Sequence, residues 1–168
     1  TKDITEIKSR LHMIASSFRT TKKNKAARLL EDLKQARLKR NKKEQVGVIK
    51  ELLCTNRSTK ERVEGYTKLY TEILKITGKQ QVIADLGAGL NPISYIYLGY
   101  TPKYIGYDID LEEKKICNEF FNILGINGKS IVLDCSNLKN LEEVNKQNPD
   151  IAFMFKFIDP IEKANGKG

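Results

Sequence analysis

Two glycines one residue apart, set directly after an apolar run that ends in a carboxylate, are the part of this chain best suited to hold a small ligand. Residues Val82 to Pro92 read V-I-A-D-L-G-A-G-L-N-P. Gly87 and Gly89 carry no Cβ, so the backbone can turn tightly and a nucleoside can lie against it. Asn91-Pro92 then opens a helix whose first N–H groups face the ligand. Lys103 to Asp110 (K-Y-I-G-Y-D-I-D) repeats the buried-strand pattern and places Asp108 at its end, 19 residues after Gly89. An acidic side chain about 20 residues past the glycines sits at the end of the neighbouring parallel strand, where it can accept both ribose hydroxyls. A third strand, Ser130 to Asp134, also ends in a carboxylate. Asp85, Asp108 and Asp134 are therefore expected along the carboxyl edge of one parallel sheet, the edge where ligands bind.

The same residues point away from dinucleotides. A nicotinamide site carries a third glycine that lets its helix approach the strand, and a pyrophosphate prefers a helix terminus to a carboxylate. Here the third position is Pro92, and Asp85 stands two residues before the first glycine. A cationic nucleoside without phosphate suits that arrangement, and S-adenosylmethionine is one. Other chemistries find little support. Cys54, Cys117 and Cys135 show no C-x-x-C spacing and are odd in number, which reads as free thiols in a reducing, cytoplasmic compartment. With His12 as the one histidine no zinc site can be assembled, so no metal is expected. No apolar run approaches the roughly 18 to 20 residues of a membrane span.

These residues need a scaffold, and the sequence supplies one in two parts. Thr1 to Lys60 hold 17 Lys/Arg against 6 Asp/Glu, while the remainder holds 13 against 15, so the net charge of +9 belongs to the first third. There Ile4, Ile7, Leu11, Ile14 and Phe18 keep helical spacing, Ala26, Leu29, Leu30, Leu33 and Leu38 continue it, and Val46, Ile49, Leu52 and Leu53 form one face of a further helix. Between the stripes stand Lys22, Lys23, Lys25, Arg28, Arg37, Lys39, Arg40, Lys42 and Lys43. The pattern reads as a helical region with a basic face, suited to RNA phosphates or simply to solvent. Ser58-Thr59-Lys60-Glu61 fits a capping box, so a helix is predicted from Ser58 to about Thr77 with Gly78 as its stop. Further helices are predicted over Leu111 to Leu124 and Leu138 to Gln147, and a fourth strand over Ile151 to Phe157. Residues 1–57 thus form a basic helical extension, and 58–168 an α/β domain of the Rossmann-like, doubly wound class.

The segments R-S-T-K-E-R (Arg57 to Arg62), D-L-G-A-G-L-N-P (Asp85 to Pro92), the strand ending at Asp108 and F-M-F-K-F-I-D-P-I-E (Phe153 to Glu162) together carry a family likeness. From about Val48 to Glu162 the chain resembles the aminoglycoside-resistance 16S rRNA guanine-N7 methyltransferases and their uncharacterised relatives. The resemblance implies a class I methyltransferase sheet, S-adenosylmethionine as cofactor, and ribosomal RNA or the small ribosomal subunit as partner. It also implies that Arg62 holds the methionine carboxylate, that Gly87 to Gly89, with Ala88 between, pass beside the methionine, that Asp108 holds the ribose, and that Asp134 and Cys135 lie beside the adenine. Two positions depart from the family pattern: Asn56 where a histidine is usual, and Ala88 where a cysteine is usual. Arg62 could instead serve as a surface partner of Glu61 or Glu64, and Asp134 could merely end its strand. Lys156 is either a snorkelling edge residue or a cation facing RNA near the reaction centre.

Guanine N7 has an in-plane lone pair and no proton, so its methylation needs positioning rather than a general base. The chain offers no acid/base dyad and no Cys-His pair, which fits. Amine methylation usually brings an Asn/Asp-Pro-Pro-aromatic motif after the fourth strand, where this chain reads Lys156-Phe157-Ile158-Asp159-Pro160. The alternative reading is a non-catalytic RNA-binding or ribosome-assembly protein that retains a cofactor fold. Only four of the seven strands of such a sheet are legible, and the rest are expected from the same or another chain, so the 168 residues alone are predicted to be inactive or weak.

Overall fold

The computed structural model describes residues 24–155. The expectations for Ile4 to Phe18, His12, Lys22, Lys23 and Lys156 lie outside that range. The first element, α1, covers 24–38 and buries Ala26, Leu29, Leu30, Leu33 and Ala36. Leu38, expected on this stripe, is 70% exposed. Five residues beyond Leu33 is roughly 140° around a helix, so Ala36 takes the buried position instead. Asn41 caps α2 (Lys42–Leu53) by accepting from Glu44 N. Ile49, Leu52 and Leu53 are buried as predicted, but Val46 stands at the rim. Gln45 is turned inward in its place, donating Nε2–H to the Ala36 carbonyl at 3.3 Å.

The predicted Ser58–Thr77 helix is two pieces. Asn56, not Ser58, is the cap: its side chain accepts from Ser58 N at 2.9 Å and starts α3 (Arg57–Lys60) earlier than the capping box suggested. Tight i to i−3 bonds, Arg62 N to Thr59 O and Gly65 N to Arg62 O, then take the chain out of the α-helix before α4 (Tyr66–Thr77) begins. Gly78 stops α4 at φ 72°, as expected. The strands follow: β1 (Val82–Leu86), β2 (Lys103–Asp108), β3 (Gly128–Val132) and β4 (Ile151–Phe153). Between β1 and β2 the Asn-Pro opening leads into a 3-10 helix, Asn91–Tyr97. Helix α5 (Leu111–Leu124) runs between its predicted bounds, capped by Asp110 and closed by Gly125 in the left-handed conformation. The predicted Leu138–Gln147 helix is a 3-10 turn, Leu138–Asn140, followed by a short α6 (Leu141–Asn145). Because β3 begins at Gly128 and ends at Val132, Asp134 stands two residues past the strand and does not end it.

All four strands are parallel, in the order β3-β2-β1-β4. Ile83, Tyr104 and Phe153 face a core shared with α1, α2, α4, α5 and the 3-10 helix. Ala84, Leu86, Ile105 and Tyr107 face a smaller core with Cys135 and Val144 of α6. The crossovers β1 to β2 and β2 to β3 thus lie on one face and β3 to β4 on the other. The order reverses between β1 and β4, which opens a crevice at the carboxyl ends of these strands. None of the helices among the described residues is long and apolar enough to cross a membrane.

Candidate cofactor site

At the carboxyl end of β1 the backbone turns through Gly87 at φ 65° and Gly89 at φ 52°, values that residues with a Cβ rarely adopt. A Cβ on Gly89 would also stand 3.1 Å from Glu113 Oε2. Ala88 N–H donates to Tyr107 O at 2.9 Å and Gly89 N–H to Asp108 Oδ2 at 2.8 Å, so the loop is fastened to the end of β2. The other carboxylate oxygen of Asp108 accepts from Asp110 N at 3.0 Å. This loop forms one wall of a cavity of about 230 Å³. Asn56, Ser58, Thr59, Arg62, Asp108, Glu113 and Phe155 line the rest of it. The buried Thr59 hydroxyl donates to the Leu53 carbonyl and pins α3 to the end of α2.

Arg62 brings a cation to this cavity and holds it by its protein side. Its Nε donates to Tyr66 Oη and its Nη2 to Asn91 Oδ1, both at 3.4 Å. Phe155 lies 5.3 Å and Tyr66 5.8 Å from the guanidinium carbon, ring centroid to Cζ. The third nitrogen, Nη1, is buried and makes no hydrogen bond among the described residues. Two carboxylates, Asp108 and Glu113, line the same cavity, and Glu113 Oε1 accepts from Asn56 Nδ2 at 2.8 Å. A cavity lined by one guanidinium and two carboxylates suits a ligand that carries a carboxylate, a cationic group and hydroxyls.

Structure comparison gives that chemistry a context. A family model described as "Ribosomal RNA methyltransferase (FmrO)" matches residues 2–168. The chain belongs to this family. The FmrO-family chain is 39% identical over 62 residues to a 16S rRNA (guanine(1405)-N(7))-methyltransferase of Proteus mirabilis, covering 35% of this chain and 22% of that protein. It is 25% identical over 112 residues to the enzyme of the same name from Micromonospora rosea, covering 66% of this chain and 39% of that one. The chain thus spans about two fifths or less of the length of these curated relatives. Among solved structures, the 16S rRNA methyltransferase RmtF in complex with S-adenosyl-L-homocysteine superimposes with a TM-score of 0.66 at 26% identity, over 88% of this chain and 51% of that one. The 16S rRNA methylase ArmA gives 0.58 at 25% identity, over 70% and 58%. The fold is that of the class I methyltransferases.

Of the residues singled out in the sequence, Arg62, Gly87, Ala88, Gly89 and Asp108 come together around one cavity. Arg62 is bound inward, to Tyr66 and Asn91. Asp85 does not line the cavity: it is 1% exposed, beneath the 3-10 helix, where Asn91 Nδ2 and Tyr104 Oη donate to it. Burial lifts its carboxyl to about 6, against the pull of those two hydrogen bonds and the Arg62 charge, with Asp108 pushing it further up. Asp134 is exposed, its Oδ1 accepting from Ser136 N and Oγ, which hold its pKa below the usual carboxylate value. Cys135 is buried in the smaller core, and desolvation lifts its thiol to about 11. Lys25, Arg28, Arg37, Lys39, Arg40, Lys42 and Lys43 are all exposed on α1, α2 and the turn between them. Tyr66, Tyr70 and Tyr95 are packed in the core.

Sequence reasoning missed Glu113 and the inward role of Asn91. The first gave no local signal: its Oε1 accepts from Asn56 Nδ2, and the Asp110 N–H that a capping box would offer it donates to Asp108 Oδ1 instead. The second had no signal beyond a polar residue before proline, since its partner Asp85 is specified by strand parity.

Proposed function

We propose that the chain binds S-adenosylmethionine in the cavity beside Gly87 to Gly89 and that its protein methylates guanine N7 in small-subunit ribosomal RNA. What supports this reading is Arg62: within an FmrO-family fold, its guanidinium lines the same cavity as the glycine loop and Asp108, and its buried Nη1 has no hydrogen-bond partner among the described residues. A carboxylate would satisfy it, and a diol would occupy the remaining lone pairs of Asp108. In this arrangement Arg62 holds the methionine carboxylate, the glycine loop lies along the methionine, Asp108 accepts from the ribose, and the adenine lies toward Asp134 and Cys135. The bound cofactor supplies an electrophilic methyl group on a sulfonium. The chain's own part is to fix that group in line with the N7 lone pair and to exclude water, a task of positioning that needs no general base.

The basic faces of α1 and α2, with residues 1–57 as the RNA-binding part and 58–168 as the cofactor-binding part, are suited to an rRNA backbone. A folded RNA with one extruded base is the expected substrate, in the cytoplasm where the small subunit is found. Mass mapping of small-subunit rRNA after incubation with the full-length protein and S-adenosylmethionine tests this. A single added methyl group on guanine N7 is expected, and a methyl group on an exocyclic amine, or no modified rRNA, would contradict it.

A further inference from the structure

The cofactor reading leaves Asp85 unexplained. It occupies a key position of the glycine motif, yet its side chain is sealed in the core. Strand parity turns it, like Ile83, toward the helices. Opposite it in register stands Gly106, where a Cβ would lie 2.9 Å from Pro92 Cγ, so the 3-10 helix sits low over this point. Asp85 Oδ2 accepts from Asn91 Nδ2 at 2.8 Å and from Tyr104 Oη at 2.7 Å, while Oδ1 has no hydrogen-bond partner. A carboxylate in that setting can accept only from the NH2 end of an amide, which locks Asn91 with its Oδ1 pointing the other way. That oxygen accepts from Tyr66 Oη at 2.9 Å and from Arg62 Nη2 at 3.4 Å. Flipping the amide would set its oxygen against the carboxylate and its NH2 group against the guanidinium, and both contacts would be repulsive.

Resting on the assignment of Arg62 as the carboxylate anchor, we infer that Asp85 and Asn91 are a buried positioning pair that sets the orientation of the Arg62 guanidinium. Asp85 serves the site without touching its ligand. Nε and Nη2 of Arg62 are held by Tyr66 and Asn91, which fixes the plane in which the guanidinium meets the cavity. A guanidinium fixed in this way loses less rotamer freedom on binding than a free arginine would.

The test uses two readouts. The first is hydrogen exchange of the Arg62 Nε–H by nitrogen-15 NMR in the ligand-free protein, with the resonance assigned by its loss in Arg62→Lys. Exchange should accelerate about tenfold in Asn91→Ala. The second is calorimetry with S-adenosylhomocysteine on the wild type, Asn91→Ala, Arg62→Ala and the double variant. Asn91→Ala should weaken binding about tenfold on its own and add nothing in the Arg62→Ala background. Unchanged exchange, or losses that simply add, would overturn the inference. If Asn91→Ala fails to fold, Asp85→Leu removes the acceptor that locks the Asn91 amide and touches no atom of Arg62; it should still accelerate Nε–H exchange severalfold, and no change would refute the pair. If the wild type fails to bind S-adenosylhomocysteine, the cofactor reading falls, and the exchange experiment still decides whether Asn91 orients Arg62.

Discussion

The Gly89 N–H donates to Asp108 Oδ2 at 2.8 Å, joining the ligand loop after β1 to the end of β2 across 19 residues of sequence. The carboxylate expected to hold a ribose therefore also shapes the loop on which the cofactor would rest. Replacing it with an amide, Asp108→Asn, removes a charge-assisted hydrogen bond worth about 1.5–3 kcal/mol. Affinity for S-adenosylhomocysteine should drop by roughly 10- to 100-fold, measured by calorimetry, while the circular-dichroism spectrum stays native.

Gly89→Ala forces a side chain into φ 52° and against Glu113 Oε2. The left-handed conformation alone costs about 1–2 kcal/mol. Urea unfolding should show a loss of that order together with weakened cofactor binding. A variant as stable as the wild type would mean that the loop can relax.

Asp85 gives stability a pH signature. Its carboxyl is raised to about 6 in the folded chain from an ordinary 3.8. The native state therefore binds more protons than the unfolded state between those values, and stability falls as pH rises. The contribution is complete below 3.8 and is lost as pH passes about 6, a change of about 2–3 kcal/mol at 1.36 kcal/mol per unit. Asp85→Asn should remove this slope and leave that of the remaining carboxylates, so the difference between the two unfolding curves from pH 4 to 7 isolates it. Parallel curves would show that Asp85 titrates normally.

The exposed cations of the α1–α2 turn predict a salt dependence. Neutralising Lys39, Arg40, Lys42 and Lys43 to Gln should weaken binding to a small-subunit rRNA fragment and reduce the slope of log affinity against log salt by roughly 3. Filter binding at several salt concentrations measures it, and an unchanged slope would remove these residues from the RNA interface.

The strands of the parallel sheet, the helix from Leu111 to Leu124 and the loop of Gly87 and Gly89 with Asp108 are legible in local patterns: apolar runs ending in carboxylates, a glycine stop, a glycine pair with an acid 19 residues on; Arg62 joins them through the family resemblance alone. The errors share a different cause. Ser58 and Asn56 compete for one helix start, and which one wins depends on how α3 docks on α2 through Thr59, a tertiary contact that no capping motif records. Asp134 has the residue type of a strand end, but the pairing that sets the register of β3 against β2 stops at Val132. Asp85 has the position of a ligand contact, but its face of the sheet lies under the 3-10 helix that packs on Gly106 through Pro92, which buries it beside Asn91. Glu113 was missed because its contact with Asn56 spans 57 residues.

Calorimetric titration of S-adenosylhomocysteine into this chain and its Arg62→Ala variant tests the central claim most directly. One-to-one binding to the wild type, reduced at least tenfold in the variant, is the predicted result. No binding to the folded wild type, or equal binding to the variant, would contradict the assignment of the cavity beside Gly87 to Gly89 as a cofactor site anchored by Arg62.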